Sequence, residues 1–379
     1  PAQPPNHHSF RPWGWAGLAL GSLILMDILI NLVAEGLWFQ EVNYLAVFWL
    51  QLRSQLGLGI VPLILTLGFT WGNLSLADRR PSLGVTTQRA YRLGLGRLLM
   101  LTGMLSLLLG IQLLYQGQVA ADFWHQTTSL YDSSTPLPLW PKLGSFTLLV
   151  QAFQAQPWLM VALVISTVAL LFYPRQLSRL AAVLMSLGFG LILAQQWPMI
   201  LLALNPVSFN QSDPIFHQDI SFYIFRLPLL RLVEFWLIGS LFFALVSVYL
   251  VYLLRDNSLS QGGFAGFSPG QRRHLYSLAA LLFLSTSWSH WLARYEVLYA
   301  RGGVVYGAGY TDIHLFLPVH TLLALLTLLL GLGFLSRGLI GSQSRQNRQD
   351  HASLPYPRLL SKRGWGAELR RSSFLIKGI

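Results

Sequence analysis

Asn205 to Arg231 reads NPVSFNQSDPIFHQDISFYIFRLPLLR, a polar, ring-rich stretch set between two long apolar runs near 180–204 and 229–254. A bilayer core of about 30 Å takes roughly 20 apolar residues as a helix, and both flanking runs reach that length. The stretch is therefore the link between two crossings. Acidic, imidazole and aromatic side chains gathered at such a place are where chemistry or recognition can sit.

Outward from this link the same alternation continues. Apolar runs lie near 14–37, 56–76, 94–116, 157–173, 180–204, 229–254, 273–291 and 315–336. Their spacing predicts an all-α, polytopic transmembrane helical bundle of about eight spans, with a short segment 1–13 before it and a basic tail 341–379 after it. The fourth run is the shortest. Pro157 and Pro174 bracket it as helix punctuation. No repeat of fixed period is visible, so neither a solenoid nor an inverted-repeat transporter is supported. The sequence begins on Pro1 with a polar, proline-rich segment that has no room for a cleaved leader, and the first helix is expected to be retained.

Charge supports the same reading. Only 11% of residues are charged, and the formal net charge is +12. Nucleic acid is not the implied partner, because most of the basic residues fall in short links between apolar runs and only Lys142, Lys362 and Lys377 are lysines. Arg79, Arg80, Arg89, Arg92 and Arg97, then Arg175 and Arg179, then Arg255, Arg272 and Arg273 fill alternate links. By the positive-inside rule these links and both termini face the cytoplasm, and the lipid bilayer is the first partner. With no cysteine, neither disulfides nor thiolate metal sites arise.

The links on the opposite side, 38–55, 117–156, 205–228 and 292–314, carry rings instead: Trp38, Phe39, Tyr44, Trp49, Trp140, Phe216, Phe222, Tyr223, Tyr295 and Tyr310 among them. Rings beside acids suit segments lying at the headgroup level.

Four of these stretches resemble a known pattern. They are Phe209-Asn210-Gln211-Ser212-Asp213-Pro214-Ile215-Phe216 with Asp219-Ile220-Ser221-Phe222-Tyr223 and Leu227-Pro228; Trp38-Phe39-Gln40-Glu41-Val42 with Phe48-Trp49; Arg294-Tyr295-Glu296 with Leu298-Tyr299; and Gly307-Ala308-Gly309-Tyr310-Thr311-Asp312-Ile313-His314 with Leu317-Pro318. Their order and spacing resemble Uncharacterised Protein Family 0182. The resemblance implies a multi-pass protein of the bacterial cell membrane with no assigned activity, continuing after the helices into a large water-soluble domain. The last forty or so residues do not resemble that domain, so a fragment or a shortened member is expected.

Several polar groups are candidates for function. Asp27, Asn31 and Glu35 recur at i, i+4 and i+8 on one face of the first helix, and a carboxylate at mid-span is costly unless it meets a partner or water. The bland alternative is a structural pair. Glu41 follows in the first outer link. Asp213, His217, Asp219 and Arg226 offer a cation site or an acid/base set, but Asp213 before Pro214 equally suits a turn or a cap. Arg294 and Glu296 belong to the resembling stretches. Arg231 and Glu234, one turn apart, read as a structural pair. Asp312 and His314, with His290 and His320, supply donors for a metal without matching a metal motif, and which metal, if any, is left open. Gly302, Gly303, Gly307 and Gly309 lack the strand and lysine of a phosphate loop, so no cofactor is implied. No nucleophile with a neighbouring base is recognisable, which weighs against an enzyme.

Three functions fit. The first is an anchor or scaffold for an envelope partner or a missing soluble domain. The second is a transporter or channel component with a polar path along Asp27, Asn31 and Glu35. The third is a membrane enzyme acting on a lipid-linked substrate, with Glu35 and Glu41 in the first outer link.

Overall fold

The computed structural model describes residues 12–79, 93–125, 136, 138, 150–151, 153–254, 263–264, 266–299 and 307–353. Those residues form helices α1 (Pro12–Glu41), α2 (Leu45–Arg79), α3 (Leu95–His125), α4 (Trp158–Phe172), α5 (Pro174–Gln195), α6 (Trp197–Leu204), α7 (Leu227–Leu253), α8 (Pro269–Glu296) and α9 (Leu317–Ser353). The one ladder among them pairs Leu93 with Phe264 and Gly94 with Gly263, antiparallel. The architecture is an all-α bundle.

Six helices among the described residues are long and apolar enough to cross a membrane: Gly21–Glu41, Leu45–Arg79, Leu95–Phe123, Pro174–Gln195, Phe222–Leu253 and Asp312–Leu339. Eight had been expected, and the two others have physical reasons to differ. Helix α4 is 15 residues long, and at 1.5 Å per residue it rises only about 22 Å against a core of about 30 Å. Helix α8 packs between α7 and α9 and buries His274, Thr286 and Ser289. A helix enclosed by other helices does not need the hydropathy of one that faces lipid.

Other boundaries also shift. The expected link 38–55 is almost wholly helical, reduced to a turn at Val42–Tyr44 in which Asn43 adopts φ 60°, a left-handed conformation that asparagine tolerates. The run 180–204 is broken at Gln196 into α5 and α6, with Pro198 in the first turn of α6. Helix α9 continues past the expected boundary at 340 to Ser353. Most of the expected link 117–156, including Trp140, together with Arg80, Arg89, Arg92, Arg255, Gly302 and Gly303 and the segments 1–11 and 354–379, lies outside the described residues.

Lipid gives apolar helices little reason to prefer each other over acyl chains, so small residues and interhelical hydrogen bonds hold such bundles. Both are present. A Cβ on Gly190 would meet the carbonyl oxygen of Gly59 at 2.9 Å, so α2 and α5 approach as only glycine permits. A Cβ on Gly239 would meet the Phe189 ring at 2.6 Å; that ring packs edge-on to Phe235, centroids 5.5 Å apart. Gln112 of α3 donates to the Gly239 carbonyl over 2.6 Å, and the Trp236 indole donates to Thr66 over 2.7 Å. Asn73 donates to the Phe69 carbonyl, so its Oδ1 accepts from His274 Nε2 at 2.8 Å. His274 Nδ1 must then accept from the Tyr252 hydroxyl, also at 2.8 Å. This chain ties α2, α8 and α7.

A local device occurs twice among the described residues. The turns Phe222–Arg226 and Asp312–Phe316 are π-helical, with Leu227 N–H reaching the Phe222 carbonyl and Leu317 N–H the Asp312 carbonyl. Each is followed by proline, at Pro228 and Pro318. A proline ring crowds the carbonyl four residues back, and the wider turn gives it room.

Candidate functional site

Between α6 and α7 the residues 205–221 form a closed loop whose arms meet at one antiparallel bridge, Ser212 with Asp219. Asp213 N–H bonds to the Gln218 carbonyl and Ile220 N–H to the Gln211 carbonyl, each at 2.9 Å, which brings the arms together. Pro214 presets the turn between them, and His217 closes it at φ 55°. One side chain organises the tip. Asp213 Oδ1 accepts from the N–H groups of Ile215 and Phe216 at 2.8 and 2.7 Å, and Oδ2 accepts from Gln218 N–H at 2.9 Å and the Tyr223 hydroxyl at 2.6 Å. Asp219 does the same for the base, accepting from Ser221 N–H at 2.8 Å, the Ser208 hydroxyl at 2.9 Å and Phe209 N–H at 3.2 Å.

Both carboxyls are held below the ordinary carboxylate range. For Asp213, partial burial pushes the other way, and the donors Phe216, Tyr223, Gln218 and Ile215 together outweigh it. For Asp219 the Ser221 hydroxyl and N–H lead, with Phe209 and Ser208 adding to them. Donors aimed at an ionised oxygen favour the charged form.

The tip is pressed onto the end of α8. Phe216 lies 4.7 Å from the Tyr295 ring, centroid to centroid, and Phe222 lies 5.0 Å from it. The Arg294 guanidinium sits 4.2 Å over Trp291 and 5.5 Å over Phe216, a cation held by ring faces. Arg294 and Asp213 belong to separate stretches of the resembling pattern, and the fold brings those two stretches together.

Beneath these rings is a buried charge cluster. The Arg231 guanidinium pairs with Glu234 through Nη1 and with Glu296 through Nε, the latter at 2.5 Å, and Nη1 also reaches the Ser289 carbonyl at 3.4 Å. The Ser289 hydroxyl donates to the second Glu234 oxygen at 2.6 Å. Arg231 and Glu234 are 3% and 0% exposed, so neither charge is hydrated and each depends on the other. Ser289 was not singled out from sequence, and Arg231 and Glu234 were weighed only as a structural pair. The available signal was two opposite charges at i, i+3 inside an otherwise apolar run.

The remaining candidates are held separately. Asp27 and Asn31 are exposed on α1, the Asn31 amide donating to the Asp27 carbonyl at 3.0 Å. Glu35 accepts from Gln51 of α2 at 3.0 Å, and Glu41 is exposed at the end of α1. None of these positions lies inside the bundle. Arg226 is exposed at the close of the first π turn. Asp312 accepts from Gly309 N–H at 2.8 Å, and His314 stacks on Tyr310 with centroids 4.0 Å apart. His290 and His320 have ring centroids 5.9 Å apart. Among the described residues no group of three or more His, Asp and Glu is placed to hold a metal ion.

Comparison with known proteins agrees with the four resembling stretches. The profile of the Uncharacterised protein family (UPF0182) matches residues 13–347. A UPF0182 protein of Nostoc sp. (strain PCC 7120) is 35% identical over 375 residues, covering 89% of this chain and 37% of the relative. One from Trichodesmium erythraeum is 34% identical, covering 88% of this chain and 35% of the relative. A third, from Synechocystis sp. (strain PCC 6803), is 32% identical and covers 86% and 35%. The chain thus spans about a third of the length of the curated relatives it matches. No solved structure matches.

Proposed function

This chain belongs to the uncharacterised protein family UPF0182, and we propose that it is a multi-pass anchor and scaffold of a bacterial cell membrane. Its arginine-bearing helix ends and N-terminus face the cytoplasm. Its loop layer 205–221, on the other side, docks an envelope partner or the further water-soluble part of a longer chain. One observation carries this reading. The loop is a clamped platform, pinned by Asp213 and Asp219 and seated on Tyr295, and with the π turn after it still presents Val207, Phe209 and Ile224 at 48–72% exposure. A preorganised apolar surface loses little conformational freedom on docking. Relatives about two and a half times as long have ample chain to occupy it.

The test is site-specific photocrosslinking in cells. A crosslinker at Val207 is expected to give a discrete protein adduct that one at Ile165 on α4 does not, and Asp213→Ala is expected to abolish it by releasing the loop. Equal adducts from both positions, or none from Val207, would remove the scaffold reading.

A second reading, a transporter or channel component, has one observation in its favour: the buried Arg231–Glu234 pair within the apolar run Phe222–Leu253. Ionisable groups at such depth often mark a path. Ion flux through reconstituted protein that changes with Glu234→Gln would raise this reading above the first.

A further inference from the structure

Where α2 ends and α5 begins, a charged knot sits over an apolar stripe. Arg179 Nη2 lies 2.5 Å from Asp78 Oδ2, and Arg175 Nε lies 3.6 Å from Asp78 Oδ1. One carboxylate thus gathers two guanidiniums and neutralises only one. Their side chains remain 43% and 54% exposed, and Arg79 on the same helix end is exposed too. The Arg179 guanidinium also stands 5.7 Å over the ring of Trp71.

Helical geometry places Trp71 on the same face of α2 as Asp78, two turns or about 10 Å deeper along the apolar run. That face continues through Gly68 to Ile64, Val61 and Ile60, all exposed in the bundle. Nothing would lie within 4 Å of a Cβ on Gly68, so the stripe is open there. From Trp71 to Ile60 the helix rises about 16 Å, half of the roughly 30 Å apolar core. That is the reach of one leaflet's acyl chain. The Gly59–Gly190 contact closes the seam between α2 and α5 about 18 Å along the helix from Trp71.

We propose that this seam binds one anionic phospholipid. The phosphate group meets Arg175 and Arg179, the Trp71 indole sits at the glycerol level, and an acyl chain runs over Ile64, Val61 and Ile60. Guanidinium forks suit phosphate oxygens in two-point contact, and aromatic rings with a polar edge suit the headgroup boundary. Asp78 offsets one of the two guanidinium charges and leaves the other for the lipid. A zwitterionic headgroup brings its own cation against this net positive patch and binds less well. The site depends on neither the docking loop nor the orientation of the bundle.

The full chain, reconstituted in phosphatidylcholine vesicles with or without phosphatidylglycerol and then extracted in mild detergent, is weighed for retained lipid by native mass spectrometry. Wild-type protein is expected to retain one phosphatidylglycerol. Arg175→Gln with Arg179→Gln is expected to lower that retention by roughly tenfold or more, the order set by two interfacial charges. Removing an equal charge as Arg272→Gln with Arg273→Gln is expected to leave it unchanged. Asp78→Asn, which keeps both guanidiniums and relieves their neutralisation, is expected to preserve or increase it. Equal losses from the two arginine pairs, or loss in Asp78→Asn, would overturn the site. A thermal stabilisation of wild-type protein by inorganic phosphate matching that from phosphatidylglycerol would overturn the lipid as its ligand.

Discussion

The Tyr223 hydroxyl, one residue into the π turn that leads into α7, donates to Asp213 Oδ2 at 2.6 Å and so fastens the tip of the loop to the first turn of a long apolar helix. Tyr223 is itself buried against Phe222 and Tyr295. Removing only its hydroxyl tests that fastening. Tyr223→Phe is expected to cost about 1.5–3 kcal/mol, the usual worth of a hydrogen bond to an ionised group, and Asp213→Ala more, because four donors lose one acceptor. Limited proteolysis across 205–221 should show the order wild type, Tyr223→Phe, Asp213→Ala in rising rate of cleavage.

Acid should loosen the same loop. Asp213 and Asp219 are both held below their ordinary value of 3.8. Lowered carboxyls contribute stability that is fully present above the unfolded value and is lost as pH falls through the folded one. Protease resistance of the loop is expected to be flat from neutral pH down to about 4 and to decline below it. With Asp213→Asn in place, that decline should shrink.

The buried cluster predicts non-additivity. Glu234→Ala leaves Arg231 buried beside the more exposed Glu296, and breaking such a pair typically costs about 3–5 kcal/mol. Arg231→Met together with Glu234→Leu removes both charges from the buried site, and most of the loss is expected to be recovered. Thermal unfolding of the two single variants and the double variant in one detergent decides this. Additive losses would show that the two groups do not act as a pair.

Gly190→Ala should be poorly tolerated. Its Cβ would meet the Gly59 carbonyl oxygen at 2.9 Å and the Leu63 Cβ at 3.2 Å, which forces α2 and α5 apart. Overpacking of this kind costs about 1–3 kcal/mol. Gly57→Ala, on α2 two residues before Gly59 and with nothing within 4 Å, is the control and should be neutral or slightly stabilising.

What could be read from sequence divides along the range of the interactions. Apolar runs are local, so the bundle and the loop 205–221 were visible, and so was the aptness of Asp213 before Pro214 for a turn. Contacts across the fold were not. Arg231 and Glu234 could be paired by spacing, but Glu296 lies 2.5 Å away only because α8 packs beside α7. Glu35 reads as a mid-face acid, and its Gln51 partner appears once the expected link 38–55 becomes the start of α2. Helix α8 passed as a span by its apolar residues, although its His274, Thr286 and Ser289 are buried among helices. Span counting from hydropathy blurs wherever a helix is shielded by protein, because protein can satisfy polar groups that lipid cannot.

The central claim is that the clamped loop and the arginine-bearing helix ends lie on opposite sides of a membrane. The chain contains no cysteine, so single cysteines report cleanly. Gln218 and Gln176 are both exposed, one in the loop and one at the start of α5. With a membrane-impermeant thiol reagent on intact cells, Gln218→Cys should label at once and Gln176→Cys only after permeabilisation. Labelling of both before permeabilisation, or of Gln176→Cys alone, would contradict the account.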